Sequence, residues 1–208
     1  MLLLLSAGLL IGSALTLILR RNRESLLLAA LCTSLTIYLA GIMLLIAKQG
    51  GITTDVENFL FFSHSIRRWL QYRFITFDQL GMIINVGRHL FPMFLLMMTE
   101  RYTMISWVRK RPSFVTRLTA VLPVATMLLY IPQVFNACVA QYAPWRAILF
   151  YVSYSWIIAY LLFSLFLLGY ELFSITMPFF RRQFLMLVVC LTAVSVLYFL
   201  YCGQDPGQ

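Results

Sequence analysis

Apolar residues fall into six long runs separated by short polar stretches. They cover residues 1–19, 26–47, 77–98 (with an extension reaching towards 107), 114–131, 147–168 and 184–201. About 18 or more consecutive apolar residues mark a candidate spanning helix, and about 20 cross the hydrocarbon core of a bilayer. The pattern predicts an all-α polytopic membrane protein, a single transmembrane domain over residues 1–208 built from about six helices.

The stretch between the second and third runs has a different period. Val56, Phe59, Leu60, Ser63, Ile66, Trp69 and Leu70 recur at steps of three and four, with Arg67, Arg68 and Gln71 elsewhere on the wheel. That spacing predicts an amphipathic helix within residues 52–76, and its mixture of aromatics and arginines suits the membrane interface. Such a segment serves either as a connector resting on headgroups or as the lid of a pocket.

Composition excludes a soluble domain. Hydrophobic residues make up 62% of the 208 and charged residues 11%, against roughly 45–50% and about 25% in soluble domains; the mean hydropathy is +0.87. The net charge of +9 is gathered in short clusters between the apolar runs: Arg20, Arg21 and Arg23; Arg109, Lys110 and Arg111; Arg181 and Arg182. Basic loops stay in the cytoplasm, so these clusters predict a multi-pass protein of the plasma (inner) membrane with its N-terminus outside. Anionic headgroups attract such clusters too, and the chain has no basic domain or motif of the kind that binds nucleic acid. Under this topology Asp55, Glu57, Asp78 and Asp205 fall on or near the outer side, as do Arg67, Arg68 and Arg73, which run against the charge rule. Residues 1–19 have no basic stretch before them and positive charge after them, the reverse of a secretory signal.

The third run carries the candidate chemistry. Asn85 lies three residues before Arg88 and four before His89, so the three share a helical face, with Asp78 further out and Pro92 a turn beyond. Ionisable groups inside a membrane are costly and face a bundle interior or a wet cavity. The group reads as a polar ligand pocket with Arg88 as its anion-binding member. The alternative is that Arg88 reaches the outer headgroups along its aliphatic stem while His89 hydrogen-bonds a neighbouring helix. Pro92 removes a rung of the helical ladder, and Glu100 and Arg101 near the inner end are either interfacial or the place where movement of this helix is relayed.

Little else suggests chemistry. His64 and His89 with four scattered cysteines do not make a zinc site, which needs about four close ligands, and no cofactor is expected. The topology puts Cys138 and Cys202 on one outer side, where a disulfide is allowed; cysteines in apolar runs otherwise serve as small hydrophobes. Gly8 and Gly12 form a GxxxG in the first run. The sequence holds no nucleophile beside a base, no paired carboxylates and no phosphate-binding glycine loop, so no enzymatic activity is expected.

From Gln79-Leu80-Gly81 to Pro92-Met93-Phe94-Leu95-Leu96, then Arg101-Tyr102-Thr103, a basic cluster and a new apolar run, the chain resembles the N-terminal seven-helix membrane region of bacterial sensor histidine kinases. In that family the third helix has a proline in its middle and ends in an aromatic-rich turn before a basic loop. The resemblance implies a sensory input region of a two-component system, which would pass a signal to a cytoplasmic kinase through its last helix. A seventh helix and the kinase with its ATP-binding glycines are missing from these 208 residues. Phe62-Ser63-His64-Ser65-Ile66-Arg67-Arg68 faintly resembles the phosphoacceptor motif of those kinases, but it lacks the acidic residue after histidine and the later proline, and it falls outside.

The leading expectation is a non-enzymatic sensor module, with Asp78, Asn85, Arg88 and His89 binding the signal and Pro92, Glu100 and Arg101 relaying it. Its expected partners are the lipid bilayer, a small-molecule or peptide signal and a second copy in a homodimer, not nucleic acid. A substrate-binding membrane subunit of a vitamin-type transporter and a structural subunit of a membrane complex are the alternatives.

Overall fold

The computed structural model describes residues 2–19, 22–49, 60–61, 63–72, 76–103, 112–139 and 141–202. All regular structure among them is helical: α1 (Leu2–Leu19), α2 (Arg23–Gln49), α3 (His64–Gln71), α4 (Phe77–Tyr102), α5 (Pro112–Leu129), α6 (Ala143–Ser174) and α7 (Pro178–Cys202). Between α5 and α6 lies an elbow, one α-turn at Pro132–Val134 running into a π-turn at Phe135–Val139. Ser25–Gln49, Phe77–Arg101, Pro144–Ser174 and Pro178–Val196 are long and apolar enough to cross a membrane. Arg117–Leu129 and Pro132–Val139, bent by 65°, make a fifth if they are one span, and Ser6–Leu15 is a shorter apolar helix. The chain is therefore an all-helical protein, among its described residues, with four to five helices able to span a bilayer.

The helix bounds differ from the apolar runs where polar residues extend a helix. α2 begins three residues before its run and α6 continues six beyond it to Ser174, because helices project past the hydrocarbon and their backbone bonds do not end where the side chains turn polar. α4 stops at Tyr102, short of the extension towards 107, and residues 104–107 lie outside the described set. The start of α4 is fixed locally: Thr76 Oγ1 accepts from the Gln79 N–H, and Gln79 Oε1 accepts from the Thr76 N–H, a capping box. Asp78 in the first turn complements the positive end of the helix dipole.

Of the amphipathic segment, residues 64–71 form α3, capped by Ser63, whose hydroxyl accepts from the Ser65 N–H at 3.2 Å; residues 52–59 lie outside the described set. Phe61 is fully buried on α2 with Met43 and Ala47, and Leu70 packs on that cluster. Trp69 and Tyr72 remain exposed.

α4 is the central helix. In the spanning windows 67% of its residues are buried, against 44% for α2, 33% for α6 and 6% for α7. Its apolar residues Leu80, Ile84, Phe91, Leu95 and Met98 join α2, α6 and α7 in one core. The tightest approach is to α2: a Cβ on Gly87 would lie 2.5 Å from the Tyr38 backbone nitrogen and 2.7 Å from its Cα, and one on Gly41 would lie 2.6 Å from Ile84 Cγ1. The pairing of 41 with 84 and 38 with 87 makes the two helices antiparallel. Small residues are what let membrane helices approach this closely.

Gly87→Ala should lower thermal stability in detergent by about 1–3 kcal/mol, since a backbone neighbour cannot yield as a side-chain tip can. Gly169→Ala, whose Cβ would meet nothing within 4 Å, should be neutral or stabilising by up to about 1 kcal/mol. Equal unfolding midpoints for the two variants would mean that Gly87 is not what brings the helices together.

Candidate functional site

α4, the elbow and the start of α6 line an open-sided cavity of about 300 Å³. α4 contributes Phe77, Asp78, Asn85 and Arg88 to its wall; the elbow region contributes Tyr130, Phe135 and Asn136, and α6 contributes Arg146 and Phe150. A helical repeat explains the α4 set. Residues 78, 81, 82, 85 and 88 follow steps of three and four, so they form one stripe, while the Gly87 side of the helix is taken up by α2.

Arg88 is 2% exposed. Its guanidinium carbon lies 5.4 Å from the centroid of the Phe150 ring, a cation–π contact between α4 and α6 of the kind that strengthens on desolvation. Asn85 is 7% exposed, and its Oδ1 is buried with no hydrogen-bond partner among the described residues. Asp78 is exposed at the first turn of α4. His89 does not line the cavity. It sits fully buried behind it, with ring centroids 5.2 Å from Tyr130 and 5.5 Å from Trp156. Its Nδ1 is 2.6 Å from the Asn85 carbonyl oxygen. A carbonyl can only accept, so Nδ1 carries the proton there and Nε2, buried and without a partner among the described residues, is left as an acceptor in the neutral ring.

Pro92 is buried inside α4, which continues unbroken through it. A proline has no N–H, so the carbonyl four residues earlier loses its helical donor. That carbonyl belongs to Arg88, and the Tyr198 hydroxyl of α7 donates to it. The Tyr198 ring packs on Phe91 and Tyr38, with centroids at 4.7 and 5.1 Å. The same arrangement recurs in α5. Pro123 leaves the Thr119 carbonyl without its helical donor, and the Tyr160 hydroxyl of α6 donates to that oxygen at 3.1 Å.

The Thr119 side chain ties the far end of α4 into this arrangement. Its hydroxyl donates to Glu100 Oε1 at 2.8 Å, and one turn later the Thr103 hydroxyl donates to Glu171 Oε1 of α6 at 3.0 Å. Both carboxylates are buried. Glu100 and Arg101 part company, since Arg101 is exposed. Cys138 is an exposed free thiol in the π-turn, and the side chain of Cys202 lies outside the described set. Among the described residues no three His, Cys, Asp or Glu side chains gather as metal ligands do.

Several contributors to the cavity and to the far cluster escape a reading of the apolar runs. Arg146, Tyr130 and Asn136 sit at run boundaries and look like loop polarity; only the fold brings them opposite Arg88. Glu171 carried a usable signal, since a carboxylate next to an apolar run and within a helix's length of it is a candidate for burial.

Tyr198→Phe and Tyr160→Phe should each cost about 1 kcal/mol of stability. In a Pro92→Ala background, where residue 92 regains its N–H, the cost of Tyr198→Phe should fall towards zero, as measured by a double-mutant cycle on thermal unfolding. An undiminished cost would show that the hydroxyl does not serve the orphaned carbonyl. No protein-family model, no curated protein and no solved structure matches this chain.

Proposed function

We propose that this chain is a non-enzymatic sensory input module of a membrane, in which a signal enters the cavity beside Arg88 and changes the packing of α4. The observation that carries the reading is the double attachment of Arg88. Its side chain forms a wall of the cavity and rests on α6, while its carbonyl is held by α7. A ligand that draws the guanidinium also bears on the grip of the last helix. At the other end of the same helix Glu100 and Thr103 meet α5 and α6 through buried hydroxyl–carboxylate bonds, the place at which a shift of α4 would be handed on.

In this reading the protein crosses the membrane six times, with the cavity towards the outside and the basic clusters inside, one span fewer than the seven-helix membrane region of sensor histidine kinases that it resembles. The ligand acts by population shift: it favours whichever packing of α4 it binds better, and Asp78, Asn85 and Arg88 would make the difference in affinity. His89 supports Asn85 from behind.

Arg88→Ala tests the coupling. With spin labels replacing the exposed Arg101 and Arg117, the variant should shift the label-to-label distance by about 1–2 Å, the size of helix shifts in switching proteins, with membrane levels unchanged. A distance distribution identical to the parent's would leave a binding site with no link to the far end, and the transporter-subunit reading would then take precedence.

A further inference from the structure

We infer that the groove between α1, α2 and α4 binds one acyl chain of an anionic phospholipid, whose headgroup is drawn to the basic segment joining α1 to α2. The inference concerns a site apart from the cavity beside Arg88 and does not depend on the sensory reading. α2 supplies one wall with Leu26, Ala29, Ala30, Thr33, Ser34 and Ile37, residues at steps of three and four that share a helical face. Leu17 of α1 and Leu90 and Phe94 of α4 supply the others, around a space of about 340 Å³. The hollow exists because the α2 side chains in its middle are short. Among the described residues no charged side chain lines it, and the Ser34 hydroxyl is turned back on its own helix, donating to the Leu31 carbonyl at 2.8 Å. Leu17 and Leu26 are 40% and 61% exposed, so the groove is open at that end.

The dimensions are those of a lipid tail. From Leu26 to Ile37 the groove follows α2 for about 16 Å at 1.5 Å per residue. That is about half of a hydrocarbon core roughly 30 Å thick, the depth of one leaflet. Spread over this length, 340 Å³ gives a section on the order of 20 Å², whereas a helix 10–12 Å across needs roughly 80–110 Å². A tail fits where a partner's helix does not. The open end lies where that lipid's headgroup would be. Leu17 stands two residues before the end of α1 and Leu26 three after the start of α2. Between them the sequence reads Arg20-Arg21-Asn22-Arg23-Glu24, three cations against one anion. The other acidic residues at this end of the bundle, Glu100 and Glu171, each accept a threonine hydroxyl, and Arg101, Arg109, Lys110 and Arg111 outnumber them. Asp55, Glu57, Asp78 and Asp205 stand in the sequence at the opposite helix ends. Such a basic surface beside a bilayer selects anionic headgroups. Leu90 and Phe94 lie on either side of Pro92, so the bound chain completes the packing of the central helix there.

The test uses the full chain in phosphatidylcholine nanodiscs carrying a trace of a lipid with a diazirine on its acyl chain, either phosphatidylglycerol or phosphatidylcholine. Cross-links located by mass spectrometry should concentrate on Ala29–Ile37 and Leu90–Phe94, well above those on the exposed α7 residues Leu185, Met186 and Val189. The phosphatidylglycerol probe should label the groove about tenfold more than the phosphatidylcholine probe. Ala30→Leu, which fills the groove, should bring its labelling down to the level on α7. Arg20→Gln, Arg21→Gln and Arg23→Gln together should bring phosphatidylglycerol labelling down to that of phosphatidylcholine. Labelling of the groove no stronger than that of the α7 face would show bulk lipid only and overturn the inference. Equal labelling by the two probes would overturn the anionic headgroup, and Ala30→Leu labelled like the parent would overturn the groove as the place of the chain. The comparison of the two probes on the parent chain stands even if Ala30→Leu fails to fold.

Discussion

A backbone carbonyl inside a membrane has no water to turn to, and every spanning segment must satisfy its own polar groups or borrow a donor. Pro92 and Pro123 each break that self-sufficiency, and each break is repaired by a tyrosine hydroxyl from another helix, Tyr198 for Arg88 and Tyr160 for Thr119. The prolines thereby convert two internal helical bonds into bonds between helices. α4 gains a directional attachment to α7, and α5 gains one to α6, in an environment where apolar contact alone distinguishes poorly between one packing and another.

Both repaired carbonyls belong to residues whose side chains also act. Arg88 faces the cavity, and Thr119 donates to Glu100. Backbone and side chain of one residue are thus committed to different helices, so displacement of either is felt by the other. The close approach of α2 at Gly87 complements this from the opposite side. It removes any room for α4 to move towards α2 and leaves the cavity side as the direction in which packing can change.

The helices themselves were legible from the apolar runs, because burial in lipid needs only length and hydrophobicity. So was the common face of Asn85 and Arg88, which both line the cavity; His89, expected on that face, is packed behind it against Tyr130 and Trp156. The number of spans was less legible. Residues 114–131 read as one run, and α5 does run unbroken to Leu129, but the chain then bends by 65° into Pro132–Val139, so whether the two make one span is not set by the apolar run. The tyrosines were illegible for a related reason. Tyr160 and Tyr198 lie in apolar runs where an aromatic reads as packing, and nothing local says that a hydroxyl will meet a carbonyl 41 or 110 residues away. Arg146 stands on the same footing, since which residues meet across a bundle is set by the fold and not by period.

α7 shows what a single well-placed bond implies for a sparsely packed helix. Only 6% of its spanning window is buried, and its hold on α4 is concentrated at Tyr198, near one end. Leu191, Val194 and Tyr198 hold its C-terminal part against the core, and its N-terminal end is joined to the end of α6 through residues 175–177, so a tilt of α7 moves the two ends together. About 20 residues separate Tyr198 from the N-terminal turn of α7, an arm on the order of 30 Å at 1.5 Å per residue. A tilt of about 5° at Tyr198 therefore carries the arginine-bearing end, Arg181 and Arg182, and the end of α6 with it, sideways by about 2–3 Å, so that a displacement too small to see at the tyrosine becomes a change of position for two charges.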